Sequence, residues 1–148
     1  MTNQDLYDLK RFLSAQQPIY ERVLTELRSG EKRSHWMWFI FPQIKGLGHS
    51  PTSQYYAIKS LEEARAYLSH PILGARLVEC AEILLGIEGR SADEIFGFPD
   101  DLKLKSSMTL FACVTDFTSV FSSVLEKYFD GKRDKGTIKL LGDGTRQE

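Results

Sequence analysis

The stretch Arg33-Ser34-His35-Trp36-Met37-Trp38-Phe39-Ile40-Phe41-Pro42-Gln43 constrains this chain more than any other. It holds both tryptophans and an unbroken apolar run, with His35 at one end and Gln43 at the other. Each indole has a large area to bury and an N–H that needs a partner once buried. The segment is therefore either the centre of a core or the wall of a pocket. Its aromatic and β-branched residues favour a strand. No second convincing strand exists to pair with it, and a lone strand leaves its own backbone groups unsatisfied. The segment therefore reads as a short buried helix with Ser34 as its cap, ended or kinked by Pro42. On such a helix Trp36 and Trp38 point roughly 160° apart. Both cannot line one face of a pocket, so at least one belongs to the core.

The rest of the chain repeats with helical period. Leu6, Leu9, Phe12 and Leu13 form one stripe, with Asn3 or Asp5 as its cap. Pro18 suits the first turn of a second helix, which carries Ile19, Val23, Leu24 and Leu27 and stops at Gly30. Gln43 to Ser53 is the main loop, marked by Gly46, Gly48 and Pro51. Tyr55 and Tyr56 open a short helical turn after it. Ser60 to Glu63 and Ser91 to Glu94 both match the capping box. Pro71 begins the longest helix, with Leu73, Leu77, Cys80, Ala81 and Leu84 on one face. The helix opened at Ser91 ends at Gly97, and Phe98 to Asp101 is a loop. Leu110, Cys113, Val114 and Phe117 mark another stripe. Val120, Phe121, Val124, Leu125, Tyr128 and Phe129 mark the next, closed by Gly131. A last helix covers Gly136 to Leu141. The expectation is an all-α, compact single-domain bundle of about six to nine short helices over residues 1–141, with a polar tail over 142–148.

Charge and composition narrow the function classes. The 148 residues fit one domain with a sizeable core. A net charge of −1 argues against a broad nucleic-acid footprint. The N-terminus lacks the pattern of a signal peptide, because Asp5, Asp8, Lys10 and Arg11 interrupt it. The apolar run from Trp36 to Phe41 is too short to span a bilayer. Cys80 and Cys113 fall within apolar helical patterns and read as two buried reduced thiols of a cytoplasmic chain, with a lone disulfide as the alternative. His35, His49 and His70 do not fall at helical metal-ligand spacing, so no metal site is expected.

Three strings carry a resemblance. Lys32 to Gln43, then Gly46-Leu47-Gly48-His49-Ser50, then Asp101-Leu102-Lys103-Leu104-Lys105-Ser106-Ser107-Met108-Thr109-Leu110-Phe111 resemble the signatures of the small bacterial family called domain of unknown function 1810. The resemblance runs from about Leu9 to Leu141 and implies a helical, cytoplasmic, stand-alone domain with no established reaction or cofactor. Some members carry an automatic calpastatin label. A calpain inhibitor of that kind is disordered and poor in aromatics, whereas this chain is 11% aromatic and strongly periodic.

The candidate site draws on the same strings. His35 is an acid, base or anion partner near neutral pH, or else a residue bonded at a helix start. Trp36 and Trp38 offer flat surfaces for stacking. Gln43, Ser50, Tyr55 and Lys59 lie in or beside the glycine-marked loop, where Gly46 and Gly48 permit close backbone approach to a ligand. The bland alternative there is a surface turn. Lys105 and Ser106 belong to a cluster from Lys103 to Thr109. Read as a helix start, that cluster is an anion cradle, and Ser106 is otherwise a capping serine. Taken together, these nine residues suggest a small-ligand site, phosphate-bearing or nucleotide-like, between the His35–Gln43 motif and the Lys103–Thr109 motif. The residues name no reaction, and His35 is the one candidate for catalysis. The competing expectation is a non-catalytic interaction module or homo-oligomer built on the exposed aromatics Tyr55, Tyr56, Phe96 and Phe98.

Overall fold

One helix is buried on nearly every side, and the others arrange themselves around it. This is α8 (Asp100–Ala112), in which Leu104, Met108, Leu110, Phe111, Ser106, Ser107, Thr109 and Ala112 are all buried. Two of its three buried hydroxyls are served within the helix, where Ser106 donates to Leu102 O at 3.2 Å and Thr109 to Lys105 O at 2.8 Å, one turn back, while Ser107 Oγ has no partner among the described residues. The computed structural model describes residues 5–116 and 118–145, with side chains described as far as Gly142.

Around α8 stand α5 (Leu61–Ser69), α7 (Ala92–Phe96), α9 (Val120–Phe129) and α10 (Lys135–Thr145). Helix α6 (Leu73–Gly86) packs on α5, α9 and α2 (Tyr20–Ser29). Helix α3 (Met37–Ile40) joins α1 (Lys10–Gln16) to α4 (Pro51–Tyr56). The described residues form ten helices and no named strand. A single parallel bridge, Ile44 to Ile58, ties the main loop to the α4–α5 link.

Three of the expected stripes lie in the core, whereas the fourth breaks off because α8 ends at Ala112 and leaves Cys113 and Val114 half-buried beyond it. Leu73, Leu77, Cys80, Ala81 and Leu84 are buried along α6, as are Val23, Leu24 and Leu27 along α2 and Phe121, Val124 and Leu125 along α9. Gly30 ends α2 in the left-handed conformation at φ 78°. Ser91 and Glu94 form the full reciprocal capping box. Asp5 is not the cap of α1, whose N-cap is Leu9, but its carboxylate accepts from the N–H groups of Leu9 and Lys10 at the helix entry. Its alternative Asn3, and Phe117 of the fourth stripe, lie outside the described residues.

Several local expectations need correction. Leu6 is 77% exposed and leaves the first stripe, because α1 begins only at Lys10. Pro18 and Pro71 each stand two residues before their helices rather than in the first turn. Tyr55 and Tyr56 close α4 instead of opening a helix, since Ser50 caps it from the front. At Ser60 the box is half formed. Ser60 Oγ accepts from Glu63 N, but the Glu63 carboxylate turns to Lys59 N and Arg11. Phe98 to Asp101 is not all loop, because α8 starts at Asp100. Helix α10 continues past Leu141 to Thr145.

Gly74, at the second position of α6, fixes how α5 meets α6. A Cβ there would lie 2.0 Å from the Leu68 carbonyl oxygen. Helix propensity alone favours alanine over glycine by up to about 1 kcal/mol. The clash is with backbone, which cannot rotate away. Gly74→Ala should therefore destabilise the fold by about 1–3 kcal/mol. Urea unfolding of the variant checks this, and a neutral or stabilising alanine would mean the two helices do not approach so closely.

Candidate functional site

The tryptophan motif folds around one carboxylate. Glu26 sits on the core side of α2, between Leu24 and Leu27, and is 6% exposed. Its Oε1 accepts from Arg33 N at 2.8 Å, Ser34 N at 3.0 Å and Trp36 Nε1 at 2.9 Å. Its Oε2 accepts from Ser34 Oγ at 2.5 Å. Burial pushes the carboxyl pKa up, but these hydrogen bonds outweigh it and hold the pKa at about 2. The expectation that Ser34 caps the motif helix is thus overturned. The helix begins at Met37 behind Trp36, with no side-chain cap, and the Ser34 hydroxyl serves Glu26. Trp36 is core, 1% exposed, and packs edge-on against Phe96.

Holding the Arg33–Trp36 segment against α2 creates a hollow of about 470 Å³. Its apolar side is Ala15, Ile19, Phe39 and an edge of Trp36. Its polar side is Arg22, one turn before Glu26 on α2, with Arg33 and His35. No carboxylate lines it. Arg22 and the His35 ring make no hydrogen bond or ion pair among the described residues. Arg33 reaches Glu31 at 3.2 Å, with both side chains more than half exposed, a pair of little energetic weight. Two arginines and a histidine therefore border one concavity. Arg22 was not singled out from the sequence. Its signal was available only as a charge at the edge of an amphipathic stripe, which most often means a solvated face.

The remaining expected residues go elsewhere. Trp38 is half-buried on the other side of the motif, where Lys103 Nζ sits 5.4 Å from its ring centroid. Lys103 also approaches Asp100 at 3.4 Å, and Asp100 pairs with the nearly buried Lys32 at 2.9 Å. The two motifs therefore do touch, through Lys103, Trp38, Asp100 and Lys32. No described hollow is lined by both. Trp38 and Gln43 share only a crevice of about 10 Å³, room for at most about one water.

The other candidates lie outside the hollow around His35, several of them bonded within the chain. The Lys103–Thr109 cluster is not a helix start. The free N–H groups of α8 lie at its first turn, which carries Asp100 and Asp101. Lys105 lies over the Phe129 ring at 5.9 Å, and Ser106 is a buried mid-helix residue rather than a cap. Ser50 caps α4 through Ser53 N at 3.1 Å. Gly48 admits the chain itself rather than a ligand, since a Cβ there would meet Ser53 Cβ at 2.5 Å. Tyr55 is 56% exposed, and its carbonyl accepts from Arg11 Nε. Lys59 is exposed and gives its backbone N–H to Glu63. Of the four aromatics assigned to an interaction patch, Phe96 is buried and Tyr56 half-buried, leaving Tyr55 and Phe98 exposed. Among the described residues no group of three or more His, Cys, Asp or Glu is placed to hold a metal, and no helix is long and apolar enough to cross a membrane.

A family model described as "Protein of unknown function (DUF1810)" matches residues 6–141. Among solved structures, the chain is similar to the conserved hypothetical protein Rv1873 from Mycobacterium tuberculosis, at 56% identity and a TM-score of 0.91. That likeness covers 93% of this chain and 99% of the other. No curated protein matches the chain.

Proposed function

Because the chain belongs to the DUF1810 family, which carries no assigned reaction, its function has to be read from its own residues, and we propose that the Arg22–Arg33–His35 hollow binds a small anionic ligand with an apolar or flat body. A phosphate-bearing or nucleotide-like compound has that chemistry. The observation that carries this reading is that three basic residues line one hollow whose lining holds no acid. Guanidinium groups match phosphate oxygens in a planar, bidentate fashion. Phe39 and Ile19 offer the body of the ligand an apolar surface. His35 remains the candidate for any acid–base step, since its ring is exposed at the hollow's edge.

A thermal-shift series tests this with inorganic phosphate, nucleoside monophosphates, sugar phosphates and the uncharged nucleosides. A binder present at a hundred times its Kd stabilises by about 2.7 kcal/mol. That is a rise of roughly 4–10 °C for a domain of this size. The nucleosides should give much less. Arg22→Ala and His35→Ala should abolish the shift while moving the unliganded midpoint by only about 1–2 °C, because both residues are exposed. Equal shifts in the variants, or none with any phosphate compound, would remove the proposal. A second reading, a non-catalytic or homodimerising module, draws on Phe98 and Leu102, which are 76% and 47% exposed four positions apart. Sedimentation of the purified protein at increasing concentration separates the two.

A further inference from the structure

A second groove, of about 920 Å³, runs between α6 and the first turn of α9 and shares no lining residue with the hollow around His35. We infer that it docks a partner protein through a short apolar segment carrying a lysine or arginine. The walls are Leu68, Val78, Val120 and Phe121. The Gly74–Leu68 contact locks α6 onto the end of α5 and makes one wall rigid. Glu79 and Glu82 edge the groove from α6. Their spacing of three places them on one helix face. No lysine or arginine lines the groove.

The charge at that edge is only partly answered within the chain. Glu79 accepts from Tyr20 Oη at 2.6 Å and has Arg28 at 3.9 Å, both of those side chains outside the groove lining. Glu82 makes no ion pair among the described residues. His70, the one ring nitrogen base in the lining, has its Nδ1 occupied by the N–H groups of Ile72 and Leu73. A purely apolar occupant, or a second copy presenting no cation, would desolvate Glu82 without replacing its water. A segment with a basic head and apolar flanks satisfies the carboxylates and the walls together. Exposed Pro71 lines the groove, and the 46% exposed Ile72 next to it carries the apolar surface past the lining, as a peptide rather than a compact metabolite would use.

Fluorescence anisotropy tests this with a labelled amphipathic peptide of leucine and lysine, and with its counterpart carrying glutamate at every lysine. The lysine peptide should bind the wild-type protein, and binding should weaken as salt is raised. Glu82→Lys should weaken it at least about tenfold, with Glu82→Gln between the two. Glu82 is exposed, so both variants should fold, with unfolding midpoints near the wild type. Arg22→Ala should leave binding unchanged, which keeps this result separate from that of the anion site. Failure of the wild type to bind, equal binding by Glu82→Lys, or equal binding of the glutamate peptide would overturn the inference. So would a wild-type dimer in sedimentation that Val120→Arg disperses, because the groove would then belong to a second copy.

Discussion

Arg11→Met should destabilise this protein by about 3–5 kcal/mol, the usual consequence of stranding one member of a buried ion pair. Arg11 and Glu63 meet at 2.9 Å with side chains 2% and 0% exposed. Every N–H of the guanidinium has an acceptor: the carbonyls of Tyr7, Asp8, Tyr55 and Ala57, and the Glu63 carboxylate. One side chain thus ties the segment before α1 to the end of α4 and the start of α5. Methionine matches the apolar stem but leaves Glu63 charged in the interior and four carbonyls without that donor. The double variant Arg11→Met/Glu63→Leu should recover part of the loss, because no charge is then stranded, though the carbonyls remain unserved. Equilibrium urea unfolding of the two single variants and the pair gives the coupling directly. A single-variant loss below about 1 kcal/mol would contradict the burial and pairing described.

The second large effect concerns acid. Free glutamate titrates near 4.5, whereas Glu26 is held at about 2 by the Arg33, Ser34 and Trp36 donors that outweigh its burial. A depressed folded-state pKa gives stability that is fully present above the unfolded value and is lost as pH falls toward the folded one. Between about pH 4.5 and 2 the protein should therefore lose about 3 kcal/mol from this group alone. Glu26→Gln should be less stable than the wild type at pH 7 and should show a flatter acid limb. Unfolding free energies measured at several pH values in that window check both. Parallel acid limbs in wild type and variant would mean that Glu26 is not the group that titrates.

The legible parts of the fold are those whose signals are local. Leu73 to Leu84 announced α6 because an amphipathic helix writes its burial at a 3.6-residue period. Ser91 and Glu94 announced α7 because a capping box closes within four residues. Helix α8 was half missed for the complementary reason. Neighbours bury it on most sides, so Leu104 to Ala112 shows no stripe. Its run of hydroxyls, of which Ser106 and Thr109 bond back along the helix, resembles a helix start in the bare sequence. The site was legible in part. His35 and Trp36 border the hollow, but Trp38, Gln43, Ser50, Tyr55, Lys59, Lys105 and Ser106 do not.

Residue types and their short-range spacing were enough to determine that this chain is helical, roughly where each helix runs and which faces are apolar, because those properties rest on interactions within a turn or two. Which polar groups are used up inside the molecule, and which stay unpaired at its surface, was decided by tertiary packing. Glu26 meets the tryptophan motif across eight positions and Arg11 meets Glu63 across fifty-two, and no periodicity encodes such meetings. Only when α2 lies against the Arg33–Trp36 segment does Arg22 find itself beside His35 with no acid to neutralise it.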